Sequence, residues 1–132
     1  MQATKNKNVL WKNSKNMNKK KQLGNAGEDM VALTLKSQGF TLQHKNYRKR
    51  YGEIDLIAQK DDLLIFVEVK RRKKQYFALE QLITWSKQQK IIKVAKEYIA
   101  RYNCDQMYCR FDVALIVGDK LTYIPNAFMD EG

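Results

Sequence analysis

Histidine and cysteine are scarce in this chain of 132 residues, and each scarcity excludes a chemistry. Cys104 and Cys109 are too few for a disulfide framework, and they lack the further ligands of a structural zinc site. Nothing near the lone His44 pairs it with a serine or cysteine, which argues against a nucleophile–histidine triad. No apolar run approaches the ~18 residues that a membrane span needs. The basic N-terminus also lacks the apolar stretch, roughly 7–15 residues long, of a secretory signal. The expectation is a cytoplasmic protein with two reduced thiols and no membrane partner. With no internal repeat and this length, the chain supports one domain with a modest core.

Acidic residues are missing altogether from residues 1–22, which hold seven lysines. The net charge is +11 and the isoelectric point near 9.7, so the rest of the chain carries only +4. A Lys/Asn-rich composition of this kind predicts a disordered basic tail over 1–22 and a single domain over 23–132. Whether the tail is an electrostatic arm or has no role is left open by its composition. The surplus of positive charge points to a polyanionic partner, with nucleic acid the default. Inside the domain the densest basic cluster is Lys70-Arg71-Arg72-Lys73-Lys74.

What is present in force is a pair of alternating apolar runs, Gly52 to Lys60 and Leu63 to Lys70, around Asp61-Asp62. They read as a hairpin whose tight turn is the two aspartates. Pairing outward from Lys60 and Leu63 places Asp55 across from Glu68, and Glu53 across from Lys70. Opposed residues in an antiparallel pair have Cβ atoms roughly 5 Å apart, so the two carboxylates could share one divalent cation. Without a cation or proton between them they repel, and such a conflict marks a place where function overrides stability. The alternation assigns Ile54, Leu56 and Ala58 to one apolar face with Leu63, Ile65, Val67 and Val69. The other face is apolar near the turn and charged at the far end, where a cleft is expected.

Around this hairpin the pattern predicts a helix from about Leu23 to Gln38, stopped by Gly39. Its stripe is Gly24, Gly27, Glu28, Val31, Ala32 and Leu35, small at the start and so able to approach a sheet closely. Glu28 reads either as a first-turn acid suited to the helix dipole or as a carboxylate aimed at the cleft. Phe40 to Tyr47 reads as a strand leading into the basic connection Arg48-Lys49-Arg50-Tyr51-Gly52. Residues 71–83 suggest a loop with a short helix. A basic helix follows from Trp85 to Tyr102, with Thr84 or Ser86 as its N-cap. Cys109 to Val117 reads as a buried strand, Gly118-Asp119 as a turn, and Leu121 to Ile124 as a last strand ended by Pro125. The fold class is α/β, with a mixed sheet flanked by helices: an antiparallel hairpin with a parallel crossover strand added.

Asp55 followed by Glu68-Val69-Lys70 resembles the D…(D/E)-x-K signature of the PD-(D/E)XK, restriction-endonuclease-like superfamily. With Glu28 on a preceding helix, the set is similar to that of archaeal Holliday-junction resolvases. The chain more closely resembles the YraN-like family of small bacterial proteins. The matching blocks are Gly24-x-x-Gly27-Glu28, Asn46-x-Arg48, Gly52 through Ala58, Phe66 through Lys70 with Arg72, Ser86-Lys87-Gln88, Arg110 through Val113, and Ala127-Phe128. The likeness spans about residues 23–128 and departs from the superfamily name in having Ile54, not proline, before Asp55.

That resemblance implies a restriction-endonuclease-like core and a metal-dependent nuclease hydrolysing phosphodiester bonds in DNA, including branched or structured DNA. It implies that Asp55, Glu68 and the Val69 carbonyl hold Mg²⁺ or Mn²⁺, with Glu28 completing the site, and that Lys70 orients the attacking water. Glu53 is then either a supporting partner of Lys70 or an ion pair at a strand end. Arg48, Arg50, Arg72 and Lys87 are implied phosphate contacts, and Arg110 with Asp112 reads equally well as a structural pair. Resolvase-like folds act as dimers, so a homodimer through Tyr76, Phe77 and Leu79 is a further expectation. The competing readings are a nucleic-acid-binding protein of the same fold without turnover, and an assembly factor whose basic surface meets an acidic partner.

Overall fold

The structure is a computed structural model, and it describes residues 19–73 and 78–131. The tail expectation for residues 1–18, and Tyr76 and Phe77 of the expected dimer surface, lie outside the described residues. The chain runs α1 (Lys19–Ser37), β1 (Thr41–Lys49), β2 (Gly52–Lys60), β3 (Leu63–Arg72), α2 (Leu79–Leu82), α3 (Trp85–Arg101), β4 (Tyr108–Val117) and β5 (Lys120–Phe128). The five strands form one sheet in sequential order, antiparallel except for the parallel pair β3–β4. A parallel pair needs a crossover, and α2 and α3 supply it. No described helix is long and apolar enough to cross a membrane.

Each face of the sheet buries its own core. On one side α1 sets Val31, Ala32 and Leu35 against Leu56, Ala58, Ile65, Val67, Ala114 and Ile116. On the other side α3 sets Ile91, Val94, Ala95 and Tyr98 against Ile57, Phe66, Val113 and Leu115. The helix α1 starts at Lys19, four residues before the expected Leu23, and stops as expected. Gly39 takes φ +97°, and the amides of Gly39 and Phe40 close the helix end on the carbonyls of Lys36 and Leu35. Thr84, rather than Ser86, caps α3, its hydroxyl oxygen accepting the Lys87 amide at 3.2 Å.

The hairpin register is the expected one where the strands pair, from Lys60–Leu63 to Leu56–Val67. Asp61 makes the two-aspartate turn possible by adopting φ 54°, in the left-handed region that such turns demand. The face assignment fails at one position. Ile54 packs on the α3 side with Ile57, not with Leu56 and Ala58 on the α1 side. The strict alternation breaks beside Asn46, whose φ is 58° and whose neighbours Lys45 and Tyr47 pair with Leu56 and Ile54.

The last strand is longer than expected. Pro125 does not end β5, because β5 lies at the sheet edge and the register slips between Phe111 and Val113 to accommodate it. An edge strand and a bulge are where proline is tolerated within a sheet.

Candidate active site

Beyond Leu56 and Val67 the two hairpin strands part company. Their pairing ends there, while β2 continues on β1 through Ile54, Glu53 and Gly52, and β3 continues on β4 through Arg72. Asp55 and Glu68 are therefore not ladder partners, and Glu53 does not face Lys70, as the idealised hairpin predicts. The sheet's own twist opens a wedge between the strands. Asp55 fills it, its Oδ2 accepting the Val69 amide hydrogen at 2.8 Å. The expected closeness of the two carboxylates survives in another form. Burial first, and then the charge of Glu68, push the Asp55 carboxyl well above the ordinary carboxylate range, against the pull of the Val69 amide.

Glu68 is 6 % exposed, and two ammonium groups meet the same oxygen, Oε2: Lys70 at 3.1 Å and Lys87 at 3.4 Å. Lys87 comes from the first turn of α3, so the helix end and the strand end share one charged knot. Each carboxylate thus commits one oxygen to the protein.

Glu28 stands on the α1 side of this wedge. With α1 starting at Lys19, it lies well inside the helix, and the reading as a first-turn acid falls away. Its carboxyl is half-buried, and its Oε1 is a buried oxygen without a hydrogen-bond partner. Burial pushes its pKa up to about 6, while Lys45 and the Asn46 side chain pull the other way and Glu53 and Asp29 add to the rise. Its charge is felt at Asp55, as is that of Glu53. Three carboxylates are thus held near one another on the two sides of β2, a costly arrangement for a fold alone.

The remaining expected residues divide. Glu53 accepts a bond from Arg48 at 2.9 Å, an ion pair at the strand end. Arg48, Arg50 and Lys87 line an open cleft of roughly 490 Å³ together with Glu53, Asp55 and Glu68. Arg72 is not among the lining residues, and its Nη1 donates to the Arg71 carbonyl. Arg110 and Asp112 are structural. The Asp112 carboxylate is fully buried and accepts two bonds from Arg110, one from the Tyr123 hydroxyl and one from the Asn126 amide. Lys49, Tyr51, Gly52, Lys90 and Ile91 also line the cleft, and sequence reasoning did not single them out for it. A signal existed: Lys87, Lys90 and Ile91 fall at helical spacing on one flank of α3.

A cation would find hard oxygen donors here. The two mutually repelling carboxylates and the orphan Glu28 Oε1 are oxygen donors that suit Mg²⁺ or Mn²⁺ better than a soft metal. Among the described residues no three His, Cys, Asp or Glu side chains already stand at ligating positions around one point. The residues fit a divalent ion as a two-carboxylate site with a third carboxylate behind it.

Comparison with known proteins gives the fold and the family. A solved structure of Hjc, a Holliday junction resolvase from Archaeoglobus fulgidus, superposes with a TM-score of 0.55 over 83 % of this chain and 82 % of that one, at 16 % identity. That likeness is one of fold, and it gives the protein the restriction-endonuclease-like architecture. A UPF0102 protein of Nitrosomonas eutropha is 44 % identical over 119 residues, covering 88 % of this chain and all of that one. A UPF0102 protein of Alkaliphilus metalliredigens is 43 % identical over 112 residues, covering 82 % and 98 % respectively. The family model for UPF0102 matches residues 27–116, from the glycine before Glu28 to the end of the buried strand β4. By both measures the chain belongs to the uncharacterised protein family UPF0102, the YraN-like family.

Proposed function

We propose that the protein is a divalent-metal-dependent nuclease that hydrolyses phosphodiester bonds in DNA, branched or otherwise structured DNA included. The observation that carries this reading is the wedge between β2 and β3. There a half-buried Asp55 and a buried Glu68 are held together, at a cost to stability, in a cleft walled by cationic side chains. Asp55, Glu68 and the Val69 carbonyl would hold Mg²⁺ or Mn²⁺, with Glu28 completing the site from behind. Such a cation, when bound, neutralises the scissile phosphate and acidifies the attacking water.

The chain's own groups do the rest. Lys70 is held beside the cleft by its contact with Glu68, and its ammonium would stabilise charge developing on the phosphate. The Val69 amide fixes the Asp55 carboxylate relative to Glu68 and Lys70, so the three groups keep one geometry. Arg48, Arg50 and Lys87 would grip phosphates without reading sequence, and Arg72, outside the cleft, would meet a flanking phosphate.

A second reading, binding without turnover, draws on one observation. Lys70 and Lys87 already neutralise Glu68, so the cleft could accept a polyanion with no cation bound. The deciding experiment is cleavage of end-labelled duplex, single-stranded and four-way-junction DNA with Mg²⁺ or Mn²⁺, beside Asp55→Asn and Glu68→Gln. Metal-dependent cuts by the wild type, absent from both variants although they still bind, are the expected result. Tight binding without cleavage by the wild type would select the second reading instead.

A further inference from the structure

The cleft is not uniformly charged. Tyr51 gives it an aromatic wall among its cationic and acidic groups. A surface built only to grip a phosphate backbone has no need of one. Tyr51 is also fixed in place: its hydroxyl donates to Glu97 at 2.5 Å, and the Lys93 ammonium stands 4.4 Å from its ring centre. Lys49 meets the same Glu97 carboxylate at 3.5 Å, so the β1–β2 connection is tied to α3 by three side chains. Gly52 brings the backbone in as well, since a Cβ there would come within 3.2 Å of Val94 Cγ2 and 3.5 Å of Lys90 Cβ. The wall that carries Tyr51 is thus braced against the helix that carries Ile91 and Lys87. The carboxylates beneath lie deep in the cleft, Asp55 half-buried and Glu68 only 6 % exposed. For a phosphate to reach them, its strand must enter the cleft, and an entering strand brings its bases out of a continuous stack.

From this we infer that Tyr51 seats an unpaired base beside the scissile phosphate, so that the substrate is DNA with single-stranded character at the cut: a gap, a flap or a branch point. The inference rests on the nuclease reading and narrows its substrate class. An aromatic ring held rigidly suits this task, because every base offers a π-face and stacking tolerates any sequence.

The test is equilibrium binding by fluorescence anisotropy, in the absence of divalent metal, using the full chain. The probes are labelled single-stranded, gapped-duplex and continuous-duplex DNA of equal length. The wild type is expected to prefer the first two. Tyr51→Leu, which keeps apolar bulk on the core but removes the aromatic face, should weaken those two by about tenfold and the continuous duplex by about twofold or less. Tyr51→Phe, which loses the Glu97 bond but keeps the ring, should retain the preference. Equal losses on all three probes, no loss with Tyr51→Leu, or a wild type indifferent to strandedness would each overturn the inference and leave the nuclease reading standing. Failure of the wild type to bind any of the three, here and again with Ca²⁺ added, would overturn both.

Discussion

The Asp55 carboxylate accepts the Val69 amide hydrogen at 2.8 Å, across the point where β2 and β3 have ceased to pair. A side chain thus replaces a ladder bond and welds the last strand turn before the cleft. It also holds the Asp55 charge near Glu68, which precedes that amide in sequence, and the protein tolerates the resulting repulsion.

Relief of that repulsion should be measurable. Mg²⁺ or Mn²⁺ at saturation is expected to raise the melting temperature of the wild type by roughly 10 °C, since a ligand at about a hundred times its Kd adds roughly 2.7 kcal/mol. Asp55→Asn keeps an oxygen for the Val69 amide but removes the buried charge. It should melt above the metal-free wild type and show no shift with metal. Differential scanning calorimetry with and without metal reads both effects.

Glu28 should make stability depend on pH in a defined window. Its pKa is raised to about 6 from the ordinary 4.5, so the folded protein takes up a proton before the unfolded chain does. The stability linked to this proton is fully present below pH 4.5 and is lost as pH rises through about 6. Glu28→Gln should therefore stabilise the protein by up to about 1 kcal/mol at pH 7.5, after allowing for the water that reaches a half-buried carboxyl. At pH 4 the variant and the wild type should coincide. Urea denaturation at the two pH values checks this, with a gain at pH 4 as the contrary result.

The two lysines that share Glu68 should separate into different phenotypes. Lys70→Met is expected to abolish cleavage while leaving DNA affinity within a few-fold. Lys87→Met, at the cleft wall, should weaken binding and lower the slope of log affinity against log salt by about one phosphate contact. Affinities at several salt concentrations, set beside cleavage rates, distinguish them.

Asp112 should behave as a pillar of the fold. Its carboxylate is fully buried with the Arg110 guanidinium against both oxygens. Asp112→Ala would strand that guanidinium, along with the Tyr123 hydroxyl and the Asn126 amide, and should cost about 3–5 kcal/mol. A chemical-denaturation midpoint unchanged from wild type would refute this.

Much of the fold was legible in the sequence because it rests on local rules. The period-two runs around Asp61-Asp62 set the hairpin register, Gly39 ended α1, and Thr84 was one of two caps foreseen for α3. The acidic pair and its E-x-K neighbour could be found for the same reason, because strand alternation places them at one end of one hairpin. Pro125 was misread, since propensity alone does not reveal that a strand lies at a sheet edge where a missing amide is tolerated.

What the sequence by itself determined, then, is which residues form strands and helices and which charges lie close along them. Only the tertiary structure decided that the hairpin strands diverge at Asp55, that Ile54 turns to the α3 side, and that Lys70 turns to Glu68 while Arg48 takes Glu53. It likewise brought Lys87 and Ile91 from α3 and Tyr51 from the β1–β2 connection to one cleft, and Glu28 from α1 within electrostatic reach of Asp55. Periodicity fixes a side chain's face on its own element. Sheet twist and the choice of partner strand, which depend on the whole packed chain, fix what that face meets.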